Sequence, residues 1–157
     1  MTGGPTGRIL AIDLGTKRIG IALSDPTAMI ATPLETLTGM GERRAAAHVA
    51  ELCRRHDVAA VIVGWPRNMD ASRGPAARQA EAFADRLRTV LPVPVELWDE
   101  RLSTAAAERA LIEADVRREE RRRSRDRVAA ALILQGYLDA RRTSLGQIQS
   151  GHNEERP

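Results

Sequence analysis

The sequence predicts an α/β domain: a mixed five-stranded sheet with helices on both faces. Three observations lead there. Short unbroken apolar runs at Arg8–Asp13 and Val58–Gly64 mark strands covered on both sides. Later segments carry apolar residues at spacings of three and four, the mark of amphipathic helices. The apolar runs Arg8–Asp13 and Ile19–Ser24 lie too close together for a crossover helix and look like a hairpin, whereas strands separated by helices imply right-handed crossovers and a parallel portion of sheet.

The elements follow in order. Ile9, Leu10, Ala11 and Ile12 make the first strand and leave Asp13 at its C-terminal end. Gly15 serves the turn into a second strand, Ile19–Ser24. A third is predicted from Ile30 to Thr36, where Pro33, having no N–H, requires an edge position or a bulge. Ala45, Val49, Leu52 and Cys53 share one face of a helix over Gly41–His56. The strand Val58–Gly64 is stopped by Gly64 and Pro66, and a helix follows over Gly74–Val90, with Ala77, Ala80, Phe83, Ala84 and Leu87 as its stripe. Pro92 and Pro94 interrupt, and Val93–Trp98 supplies the fifth strand. Ser103 caps a helix through Ala114, and Ser124 caps a last helix over Arg125–Arg142. One domain over residues 1–142 is expected, with a polar, disordered tail over 143–157.

Composition narrows the function classes. With 43% apolar and 29% charged residues, the 157-residue chain is expected to fold as one core, which excludes the disordered class. No apolar run approaches the roughly 20 residues a bilayer crossing needs, and the start of the chain has no apolar signal core, so a cytoplasmic protein without membrane association is expected. Cys53 is the sole cysteine and falls in a helical pattern, where a buried, inert thiol is expected. The net charge is +3, yet Lys17 is the only lysine among 24 basic residues. Arginine suits phosphate recognition, but a GC-rich genome produces the same bias, so composition alone does not establish nucleic-acid binding.

Three acidic residues stand at special places: Asp13 where the first strand ends, Glu100 just past Trp98, and Asp126 in the first turn of the last helix. Ligands of open α/β sheets gather beyond the C-terminal ends of the parallel strands, so these carboxylates can share one rim. Clustered anions raise one another's pKa unless a cation neutralises them, and hard oxygen donors select Mg²⁺ or Mn²⁺. Two such ions activate a water and stabilise the leaving oxygen in phosphodiester displacement. The plainer alternatives are a helix-dipole role for Asp126 and a surface ion pair within Asp99-Glu100-Arg101.

Four segments carry a resemblance: Ala11-Ile12-Asp13-Leu14-Gly15-Thr16-Lys17-Arg18-Ile19-Gly20, Val63-Gly64-Trp65-Pro66-Arg67-Asn68-Met69-Asp70, Asp99-Glu100-Arg101-Leu102-Ser103-Thr104, and Asp126-Arg127-Val128-Ala129-Ala130-Ala131-Leu132-Ile133-Leu134. In this order the chain resembles the YqgF/RuvX family of RNase H-like nucleases, the pre-16S rRNA nucleases or Holliday junction resolvase-like proteins. The resemblance implies an RNase H-like fold, a metal-dependent site at Asp13, Glu100 and Asp126, and a part in maturing the 5′ end of the 16S ribosomal RNA precursor. Trp65 and Ala71 depart from the residues usual at those positions, and an Arg precedes Asp126 where Lys is frequent.

Basic and polar residues around these segments are candidates for phosphate contact: Lys17 and Arg18 at the hairpin, Arg67 and Asn68 after the fourth strand, and Arg101 beside Glu100. Arg117 to Arg127 holds seven Arg against three acids; Arg122, Arg123 and Arg125 make it the best clamp for nucleic acid. Its alternative is a solvated helix with charge pairs. Trp65 and Trp98 are expected to pack, and His48, His56 and His152 have no metal-ligand partners.

The functions in contention are a nuclease acting on pre-rRNA, the same chemistry on branched DNA, a phosphotransferase, and a module that docks on RNA without cutting. Asp13-Leu14-Gly15-Thr16 also resembles the phosphate loop of the actin and sugar-kinase group, but those proteins use two such domains to enclose ATP. Either a monomer or a homodimer is open, and a resolvase is expected to match its substrate's two-fold symmetry.

Overall fold

The computed structural model describes residues 7–68, 70, 72–102 and 125–154, with only the backbone described at 102, 125–128 and 144–154. The helix expected over Ser103–Ala114 and the arginine run through Arg123 lie outside these residues, as does Ala71.

Five strands form one sheet: β1 (Arg8–Leu14), β2 (Arg18–Ser24), β3 (Ala31–Thr38), β4 (Val58–Trp65) and β5 (Val95–Asp99). Their order is β3-β2-β1-β4-β5. β2 runs antiparallel to β1 and β3, and β4 lies parallel to both β1 and β5. The hairpin, and the parallel pairing of strands separated by helices, are those expected from the spacing of apolar runs. Pro33 meets both conditions set for it: β3 is an edge strand, and its register slips so that Ile21 faces Glu35 while Ala22 faces Pro33. β5 starts at Val95 rather than Val93, because Pro94 has no N–H to give and enters only through its carbonyl, which accepts from the Val61 N–H at 2.9 Å.

Helices α1 (Glu42–Arg55) and α2 (Pro75–Val90) cover one face, and α3 (Arg125–Glu154) covers the other. Ala45, Val49, Leu52 and Cys53 of α1, with Ala80, Phe83, Ala84 and Leu87 of α2, pack on Leu10, Ile12, Val61 and Val63. On the other side Ala130, Ile133, Leu134, Tyr137 and Leu138 meet Ile9, Ala11, Ala22 and Ile62. Side chains alternate along a strand, so β1 sends Leu10 and Ile12 one way and Ile9 and Ala11 the other. The same alternation assigns Asp13 to the α3 side.

α3 continues past Arg142 to Glu154, a correction to the helix end expected from the sequence. The segment after Arg142 has no proline before Pro157, so nothing removes the helical N–H bonds there. No helix among the described residues is long and apolar enough to cross a membrane. Cys53 is buried, and burial pushes its thiol up to about 11, the inert state expected.

Candidate active site

At the rim where β1, β4 and β5 end, two carboxylates meet. Asp13 is the penultimate residue of β1, paired across the sheet with Gly20. Glu100 opens a 3₁₀ turn, Glu100–Leu102, that leaves β5 directly. Its side chain lies back over β4: a Cβ placed on Gly64 would fall 2.5 Å from Glu100 Oε1. From there Glu100 reaches Asp13, and the two share a side-chain hydrogen bond in which protonated Glu100 donates. Burial, first, and then the charge and hydrogen bond of Asp13, with Asp99 adding a further negative charge, push the Glu100 carboxyl up to about 7. The pair therefore holds a proton at a pH where separate carboxylates would have lost it.

The hairpin beside Asp13 is tight. Gly15 N–H donates to Arg18 O at 2.8 Å, and a Cβ on Gly15 would sit 2.8 Å from that same oxygen, so only glycine fits. Lys17 and Arg18 are exposed at this tip.

Arg67 and Arg101 gather around Asp99, on the side of α2, while the Asn68 side-chain amide donates to Ser72 Oγ at 2.9 Å. Arg101 gives Nε and Nη2 to the Asp99 carboxylate at 3.0 and 2.7 Å, and its backbone N–H donates to Oδ1 at 3.0 Å. Arg101 Nη1 also donates to Asn68 O at 3.3 Å. The Arg67 guanidinium stands 3.6 Å from Asp99 and lies 4.7 Å over the Trp65 ring. Trp65 in turn donates to Glu81 of α2 at 3.0 Å. The Arg101 guanidinium beside Asp99 holds that carboxyl below its usual range. Asp99 is thus an anchor for two arginines, whereas its neighbour Glu100 serves the acidic pair.

Of the residues singled out from the sequence, Asp13 and Glu100 are brought together, and Arg67, Asn68 and Arg101 form a bracket at the same rim. Asp126 and Arg125 begin α3, where only the backbone is described, and Arg122 and Arg123 lie outside the described residues. Trp98 packs edge-on against Tyr137, centroids 5.3 Å apart, in the packing role expected. His48 pairs with Glu35 of β3. Asp99 entered the sequence reading only through the ion-pair alternative within Asp99-Glu100-Arg101, which Asp99 and Arg101 do form, and Gly64 only as a strand stop. A glycine inside a strand is itself a signal of close approach by another group.

A sheet of order β3-β2-β1-β4-β5, with β2 alone antiparallel and an acidic pair beyond the parallel strand ends, defines a domain of the RNase H-like class. Its fold is similar to that of Thermus thermophilus RuvC, solved in complex with a Holliday junction substrate: TM-score 0.51, 19% identity, covering 85% of this chain and 96% of that one. The chain belongs to the RuvX family, described as "Holliday junction resolvase", whose sequence pattern matches residues 7–140. A relative from Halalkalibacterium halodurans is 47% identical over 134 residues, 84% of this chain and 96% of its own. One from Pelotomaculum thermopropionicum is 46% identical over 152 residues, 94% of this chain and 99% of its own. Both carry the name "Putative pre-16S rRNA nuclease".

Proposed function

We propose that this chain is a divalent-metal-dependent nuclease that hydrolyses phosphodiester bonds in structured nucleic acid, with the 5′ end of the 16S rRNA precursor as substrate. The observation that carries the reading is the meeting of Asp13 and Glu100 above Gly64. Two carboxylates at contact, sharing a proton, are unstable together in their ionised forms unless a cation takes the proton's place. The donors are all oxygen, which fits Mg²⁺ or Mn²⁺ rather than a soft metal. When bound, one or two such ions supply Lewis-acid polarisation of the phosphate and an acidified water.

Asp13 and Glu100 would hold the cation, and Glu100 would release its proton as it did so. The course of α3 supports Asp126 as the third ligand. Ile133 lies beside Gly64 near the C-terminal end of β4, and one turn on, Tyr137 packs on Trp98 while its hydroxyl stands 3.5 Å from Glu96, two residues further from the rim. Position 126 falls on the same helical stripe as Ala130, Ile133 and Tyr137, about 10 Å nearer the N-terminus than Ile133. Lys17, Arg18, Arg67, Asn68, Arg101, Arg122, Arg123 and Arg125 are proposed to hold phosphates, with Arg101 doing so from its fixed place on Asp99. A ribosomal substrate puts the work in the cytoplasm and asks no two-fold symmetry of the protein.

The family description favours a second substrate, a four-way DNA junction, which would call for a homodimer. Cleavage of a labelled rRNA precursor and of a four-way junction, each in Mn²⁺ and in Mg²⁺, separates the two. Preferential cleavage of the precursor is expected. Preference for the junction would move the function to DNA, and failure to cut either would leave an RNA-docking role.

A further inference from the structure

We propose that Gly64 is a positioning residue of the acidic centre: the missing side chain at that one point of β4 lets Glu100 cross the strand and meet Asp13. The inference rests on the proposed reading of that pair as a cation site.

β4 lies between β1, which carries Asp13, and β5, which leads into Glu100. Neighbouring strands are about 4.8 Å apart, so the two carboxyl-bearing backbones are separated by roughly twice that distance, with β4 side chains in between. Gly64 is the only position in Val58–Trp65 without a Cβ. A Cβ built there would lie 2.5 Å from Glu100 Oε1, 3.4 Å from Glu100 Cδ and 2.9 Å from Ile133 Cδ1. Carbon and oxygen atoms do not pack at the first of these separations. Backbone conformation gives no separate reason for the glycine, since its φ is outside the left-handed region where side chains are strained. Space is the reason.

Two things would have to yield to a methyl group: the end of Glu100 and the end of Ile133. Glu100 borders the rim and can swing outward, away from Asp13. Ile133 is buried on α3 and cannot move as freely. Gly64→Ala therefore combines a packing defect with a displaced carboxylate. Ile133→Val removes the Cδ1 atom and with it the packing defect, leaving the displacement alone. Ile133→Val by itself serves as the reference.

The test compares Ile133→Val with the double variant Gly64→Ala/Ile133→Val by urea unfolding, by Mn²⁺ titration calorimetry and by a metal-free crystal structure of each. The double variant is expected to unfold at the urea midpoint of the reference, to show the Glu100 and Asp13 carboxylates out of contact, and to bind Mn²⁺ about 10- to 100-fold more weakly, the usual cost of losing a group that orients a metal ligand. Adding Glu100→Gln should then weaken Mn²⁺ binding far less than it does in the reference, because the contact is already gone. Carboxylates still touching in the double variant, or an unchanged Mn²⁺ affinity, would overturn the role given to Gly64. If the reference protein takes up no Mn²⁺, the cation-site reading fails, and the crystallographic contact still decides whether Gly64 positions Glu100.

Discussion

Replacing Glu100 by Gln should make the metal-free protein more stable while removing the function proposed for it. In the wild type a negative charge is forced into a partly buried position against Asp13, which raises the Glu100 carboxyl from its ordinary 4.5 to about 7. That rise corresponds to about 3 kcal/mol of native-state penalty when the group is fully ionised. Glu100 still touches water at the rim, and screening reduces the figure to about 1–2 kcal/mol. Between pH 4.5 and about 7 the folded protein holds a proton that the unfolded chain has released, so wild-type stability falls as pH rises through this window. Glutamine has no charge to lose, keeps the shape, and can still donate to Asp13. Urea unfolding with a chelator present should show Glu100→Gln ahead by about 1–2 kcal/mol at pH 8, a midpoint shift of about 0.5–1 M. At pH 4 the advantage should vanish, since Glu100 is then protonated in both states. Saturating Mn²⁺ at pH 8 should reverse the order by stabilising the wild type by about 3 kcal/mol at a hundredfold excess over Kd. A variant equal to or weaker than wild type at pH 8 without metal would mean that the two carboxylates do not burden one another.

Other consequences are open to simpler measurements. Asp13→Asn should lower single-turnover cleavage of the rRNA precursor by at least about 100-fold, a loss of several kcal/mol of transition-state stabilisation, while RNA affinity by filter binding stays the same or rises. Phe83 is fully buried between α2 and the sheet, and Phe83→Ala should cost about 3–5 kcal/mol in urea unfolding with no selective effect on Mn²⁺ affinity. The Cys53 thiol, raised to about 11 by burial, should react with a disulfide reagent at pH 8 only as the protein unfolds.

Much of this architecture is legible because it rests on patterning. The unbroken apolar run Ile9–Ile12 states that both faces of its strand are covered, the helical stripe at Ala77, Ala80, Phe83, Ala84 and Leu87 states which residues share a face, and their burial follows. Pro33 announces an edge strand because a missing N–H is a property of the residue itself. Asp13 and Glu100 stand out as acids at strand ends, positions whose location in the fold is set by the strands. What stays hidden is whatever depends on a partner distant in sequence. Asp99 and Glu100 are adjacent acids, and only the sheet register, Trp65 opposite Asp99, shows that one turns to Arg67 and Arg101 while the other crosses β4. Gly64 is hidden for a related reason, since the group it makes room for arrives from another strand. Gln135 is a further case: its amide accepts from Ala31 N–H at 2.9 Å and donates to Met29 O at 3.1 Å, tying α3 to the entry of β3. Nothing in the pattern around it marks that role.

The proposed function stands on Asp13 and Glu100 together forming a seat for a divalent cation. A crystal soaked in Mn²⁺ and measured at the manganese absorption edge tests it most directly. An anomalous peak bonded to oxygens of both Asp13 and Glu100, at about 2.0–2.2 Å, as hard cations of this size prefer, is expected. No peak there, with the two carboxylates still sharing their proton at neutral pH, would contradict it.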